Sequence, residues 1–101
     1  MVITGQGDPP GLVLTGTIRE ADLDRLRAAV LAMCGDVRVD LRAVPFVQVV
    51  TLRTLVRTAA ELDREGRCLV LDLAPHHEWA IDAIGWSTAP GLVMANGELP
   101  R

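Results

Sequence analysis

Three short apolar runs, GLVLTG (11–16), VRVDLRAV (37–44) and CLVLDL (68–73), are separated by two stretches with the period of amphipathic helices. This alternation constrains the chain more than any other feature. Strands joined through helices must lie parallel and be reached by right-handed crossovers. Between the first two runs, residues 17–35 set Leu23, Leu26, Val30 and Met33 on one helical face. Glu20, Asp22 and Asp24 crowd the first turn, where the helix dipole favours negative charge, and Gly35 ends it. Between the second and third runs, TLRTLVRTAAELDREG (51–66) buries Leu52, Leu55, Val56, Ala59 and Leu62. It turns Arg53, Arg57, Glu61 and Arg64 outward and stops at Gly66. Thr51 reads as the cap of this helix, its oxygen accepting a backbone N–H.

The remaining segments complete the order. MVIT (1–4) is a short edge strand, ended by the turn formers of GQGDPPG (5–11). HHEWAIDAIGW (76–86) is a third helix, GLVMA (91–95) a last strand and NGELPR a frayed tail. The sequence β-β-α-β-α-β-α-β predicts an α/β fold with a mixed, mostly parallel sheet of four to five strands. In residues 37–42, Val37, Val39 and Leu41 alternate with Arg38, Asp40 and Arg42, so one sheet face is buried and the other polar. The helices are therefore expected mainly on one face. The 101 residues make a single domain (1–101, core 11–95).

Charge and composition exclude several classes of function. All ten basic residues are arginine, scattered through a chain of net charge −3. Phosphate-backbone binding needs a concentrated basic face, and base stacking needs aromatics. With no Tyr and one Phe, nucleic acid is not an expected partner. No apolar stretch approaches the ~20 residues that cross a bilayer, and the start MVITGQGDPPG lacks the pattern of a secretory signal. A cytoplasmic location is expected. Cys34 and Cys68 have neither metal nor redox spacing and read as reduced, structural core thiols.

Enzyme signatures are missing: there is no GxGxxG, GxxxxGK[ST] or HExxH. Asp40 and Asp72 lie inside strands at no spacing that makes a catalytic pair. His76 and His77 point about 100° apart on a helix and read as surface or first-turn residues. Trp79 and Trp86 read as core or edge packing. No catalytic residue, metal site or cofactor is expected.

One segment does not fit a simple α/β reading. VPFVQVVTLRTL (44–55) places valines where a strand-to-helix turn should be polar. With its neighbours GLVLTGTI, VRVDLRAVPFV, LRTLVR and GRCLVLDLAP, in that order, it resembles the STAS domain, the family of the bacterial anti-sigma factor antagonists. The resemblance spans about residues 11–95. In partner-switching members, a Phe-hydrophobic pair is followed by Asp-Ser-Ser/Thr-Gly-Leu, whose first Ser is phosphorylated by a kinase-like anti-sigma factor. Here Phe46-Val47 match the lead-in and Leu52-Arg53 the exit. Between them stand Gln48 for the acid, Val49 for the phosphoacceptor, Val50 for the next hydroxyl and Thr51 for the glycine. A second family acid, after the early strand, falls on Arg19.

The resemblance implies a non-enzymatic protein-binding module lacking the phosphorylatable serine. Its partner-binding positions map to Arg19, Gln48, Val49, Val50, Thr51, Arg53, Thr54 and Arg57. Val49 is the phosphoacceptor equivalent that cannot be phosphorylated; Thr51 and Thr54 are the nearby hydroxyls. The valines either form a constitutive apolar docking surface or turn inward beneath the loop. The partner implied first is a kinase-like anti-sigma factor, giving an antagonist-like regulator of transcription in bacteria. The alternatives are a non-catalytic subunit bound to the ATPase of an ABC (lipid-type) transporter, and a nucleotide or small-ligand sensor. A homodimer remains open, because a second chain could cover the sheet edge near Ala95.

Overall fold

The computed structural model describes residues 1–6, 11–85 and 89–94. Strand β1 (Val2–Gln6) pairs antiparallel with β2 (Gly11–Thr15). From there each strand adds in parallel to the last: β3 (Val37–Asp40), β4 (Leu69–Asp72) and β5 (Leu92–Met94). Helices α1 (Leu23–Leu31), α2 (Val49–Asp63) and α3 (Pro75–Ile84) occupy the three crossovers. The fold is the expected α/β arrangement, with sheet order β1-β2-β3-β4-β5. Trp86, the 96–101 tail and positions 7–10 of the first turn lie outside the described residues.

Sheet order that follows chain order fixes where the helices go. Each right-handed crossover advances in the same direction, so each helix lands on the same face. The burial pattern agrees. Leu12, Leu14, Val37, Val39, Leu69 and Leu71 point into a core shared with Leu26 and Val30 of α1, Leu52, Leu55, Ala59 and Leu62 of α2, and Ile81 of α3. Each such leucine contributes roughly 1.5–3 kcal/mol by leaving water. The alternate residues Val13, Arg38, Asp40 and Val70 look away from the helices and are only partly buried.

Polar side chains on that second face pair with one another. Asp72 is buried, and the Arg38 guanidinium from the neighbouring strand donates Nε to its Oδ2 and Nη2 to its Oδ1, the latter at 2.7 Å. On the helix side, Arg27 of α1 holds Glu61 of α2 through two hydrogen bonds, Nε to Oε2 at 2.9 Å and Nη2 to Oε1 at 2.5 Å. That pair lowers the Glu61 carboxyl below its ordinary range and ties the two helices side by side.

Element boundaries shift from the expected ones for local reasons. α1 is shorter than 17–35: a 3₁₀ turn (Glu20–Asp22) precedes it, and Asp22 Oδ2 accepts the Arg19 N–H at 2.9 Å. β3 ends at Asp40, whose carboxylate accepts the Arg42 N–H and starts a turn. α2 stops as expected, with Gly66 at φ 74° and the Arg67 N–H returning to the Leu62 carbonyl at 2.9 Å.

Three side-chain expectations are corrected. Cys34 is exposed and Cys68 half-buried; both are free thiols, but neither is a core residue. Trp79 is 74% exposed, because the inward face of α3 is taken by His77 and Ile81. His77 is not a surface residue: it is 3% exposed, and neither ring nitrogen has a hydrogen-bond partner. It is in the first turn, as expected, with its N–H bonded to the Ala74 carbonyl at 2.9 Å.

Two outcomes follow for stability. Gly91 has φ 75°, and a Cβ there would run into the Ala59 carbonyl oxygen of α2. Gly91→Ala should lower the unfolding free energy by at least about 1–3 kcal/mol from backbone strain; an unchanged urea midpoint would contradict the close approach of β5 and α2. Burial, with the His76 ring 4.1 Å away, holds the His77 pKa below its ordinary 6.5. A depressed histidine pKa means that the unfolded chain binds the extra proton first. Stability is therefore full above pH 6.5 and falls as pH drops below it, by up to about 1.4 kcal/mol per unit. Denaturation of the wild type from pH 7.5 to 5 should show this loss, and His77→Leu should remove it. Equal slopes would show that His77 is not buried neutral.

Candidate functional site

Loops that follow parallel strands all emerge at the carboxyl edge of the sheet. Here they are the β2–α1, β3–α2 and β4–α3 connections, and two direct bonds tie the last two together. The Leu41 N–H donates to the Asp72 carbonyl at 2.8 Å, and His76 Nε2 meets the Pro45 carbonyl oxygen at 3.3 Å. The VPFVQVV segment sits on this edge.

Val49 and Val50 are not in the turn, whereas Val47 stays in the loop before α2. α2 begins at Val49, two residues before the expected Thr51. Gln48 occupies the capping position with extended backbone, and its carbonyl accepts the Thr51 and Leu52 N–H groups at 3.0 and 3.1 Å. Thr51 is therefore a residue of the first helical turn, not its cap, and it is buried at 1% exposure. Burying Thr51 and Leu52 rather than solvating them moves the helix start toward Gln48. The helix begins without a side-chain cap and without an acid in its first turn.

This rotation splits the candidate residues. Val49 points out, 51% exposed, and Phe46 beside it is 67% exposed. Gln48, Arg53, Arg57 and Arg19 are also exposed. Val50 is half-buried and packs on the core, as does Val47. Thr54 donates its hydroxyl to the Val50 carbonyl at 3.0 Å, and Thr58 repeats the bond to Thr54 at 2.7 Å. Neither Thr51 nor Thr54 presents a free hydroxyl to solvent in this geometry. The exposed set comprises Phe46, Gln48, Val49, Arg53 and Arg57, with Arg19 on the β2–α1 loop of the same edge. Phe46 was legible only as a lead-in to the motif; its exposure needed the fold.

The two strand carboxylates stand side by side. Asp40 and Asp72 are direct register partners on β3 and β4, a pairing that sequence spacing hid. Each is held by an arginine. Arg42 donates Nη2 to Asp40 Oδ2 at 2.9 Å, and this contact keeps the Asp40 carboxyl below the usual carboxylate range. A catalytic acid needs the opposite shift. Among the described residues no group of three or more His, Cys, Asp or Glu is placed to hold a metal ion. No helix there is long and apolar enough to cross a membrane.

The arrangement offers an exposed surface: an apolar helix start, flanked by an aromatic residue and followed by arginines. The family comparison agrees with the fold. The model described as "Mlab, STAS domain" matches residues 1–92. No curated protein matches the chain. With the match covering most of its length and the fold the expected mostly parallel α/β sheet, this chain belongs to the STAS domain family.

Proposed function

We propose that the chain is a non-enzymatic docking module that holds a protein partner through the face around Val49, without phosphoserine control. The observation that carries this is the placement of Val49: half-exposed at the start of α2, where switching family members present a phosphoacceptor. A phosphate adds about −1.5 to −2 charge and acts by repulsion or by new arginine contacts. Valine has no hydroxyl to take it, so contact at this position is constitutive. Interface centres are poor in charge, with Arg the charged type they favour. Phe46, Gln48 and Val49, followed by Arg53 and Arg57 on successive turns of α2, have that composition.

The partner that best fits the family resemblance is a kinase-like anti-sigma factor. Docking would sequester it and free a sigma factor by surface complementarity alone, in the cytoplasm. A second reading keeps the surface and changes the partner to the ATPase of an ABC lipid-type transporter. Val49 supports it as well, because a subunit that serves assembly needs no phosphoserine.

Substitution of neighbouring valines separates docking from packing. Affinity capture from the source cell with Val49→Asp should lose the partner while the purified variant keeps wild-type stability to within about 0.5 kcal/mol. Val50→Asp, which puts a charge against the core, should instead lose about 1–3 kcal/mol. A folded Val49→Asp variant that retains every wild-type partner contradicts the proposal. The identity of the lost protein, anti-sigma factor or transporter ATPase, decides between the readings.

A further inference from the structure

Exposed apolar surface at this edge continues beyond α2. His76 touches the Pro45 carbonyl, the residue before Phe46, and Trp79 follows His76 by one turn of α3. Phe46, His76 and Trp79 are all exposed, and the His76–Pro45 contact brings the start of α3 to the β3–α2 loop. A lone exposed hydrophobic residue needs no explanation. An exposed Trp and Phe on two segments that meet through the His76–Pro45 contact, together with an exposed Val49, include the aromatic anchor types enriched at interface hot spots.

The electrostatics of the β3–α2 segment are one-sided, whereas α3 carries Glu78 and Asp82. From Leu41 to Ala60 there is no acidic residue, while Arg42, Arg53 and Arg57 are basic, in a chain whose net charge is −3. Arg42 is engaged by Asp40. No carboxylate among the described residues forms an ion pair with Arg53 or Arg57. The uncapped start of α2 adds the positive end of a helix dipole.

We infer that the docking surface spans the β3–α2 loop from α2 to Trp79, and that its occupant is an acidic protein segment with apolar anchors. The apolar side chains lie against Phe46, Val49 and Trp79; the carboxylates meet Arg53, Arg57 and the open N–H groups of α2. An anionic membrane would also attract arginine and tryptophan, but two arginines with no ion pair among the described residues, on a net-negative chain, give little attraction to a charged bilayer. The inference rests on the docking reading above and adds to it the reach onto α3 and the chemistry of the partner.

The test is photocrosslinking in the source cell, with benzoylphenylalanine placed singly at positions 49 and 79. Positions 28 on α1 and 2 on the sheet face serve as controls, and each variant is first confirmed to melt as wild type. The expected result is one protein crosslinked from both 49 and 79, through a segment richer in Asp and Glu than in Lys and Arg, with positions 28 and 2 at background. Adding Arg53→Glu and Arg57→Glu should reduce the yield at 79 several-fold. A partner crosslinked from 49 but not 79 overturns the extension and leaves the docking reading standing. A basic segment, lipid, or a second copy of this chain at both positions overturns the partner chemistry. Background yield at both 49 and 79 overturns the inference and the docking reading together.

Discussion

A sheet whose strand order follows chain order can receive its crossover helices on one face only, and this one-sidedness shapes everything else in the molecule. It concentrates the apolar core between α1, α2, α3 and a single sheet surface. Among the described residues it also leaves a second sheet face without a helix, where Arg38 and Asp72 satisfy each other across neighbouring strands. The three strand-to-helix loops must then leave from one edge. Helix starts gathered at one edge bring together positive dipole ends and short loops, a natural place for contact with another molecule.

The chemistry at that edge follows from how α2 sits on the sheet. Thr51, Leu52, Leu55, Thr58, Ala59 and Leu62 face inward, which fixes the rotation of the helix and leaves Val49, Arg53 and Arg57 outside. Val49 is thus both surface and apolar. Exposing Val49 has a cost that covering it removes, and this is the physical basis of the permanent contact proposed above. With no acid from 41 to 60 and with Arg42, Arg53 and Arg57 there, the β3–α2 segment is basic in a chain of net charge −3.

Much of this was legible in the sequence where one physical period dominated. Strand β3 was marked by Val37 and Val39 alternating with Arg38 and Asp40, and the inner face of α2 by leucines at helical spacing. The end of α2 was marked by Gly66, whose left-handed backbone is a local property. The missed features depend on packing between distant segments. Thr51 looked like a cap because its hydroxyl suits one; burial against the core places it inside the first turn instead. His77 and Trp79 belong to one short helix, and only the placement of α3 on the sheet decides that the histidine is covered and the tryptophan is not. Asp40 and Asp72 are 32 residues apart in sequence yet adjacent in register, a relation that parallel pairing creates and spacing cannot reveal.

The central claim is that position 49 is open in the free protein and covered in the cell. Thiol labelling reads this directly, using Val49→Cys and Val50→Cys in a chain whose exposed Cys34 has been replaced by alanine. The account predicts rapid labelling at position 49 in the purified protein and strong protection of the same thiol inside the source cell, with position 50 slow in both. Equal labelling of position 49 in the two settings would contradict it.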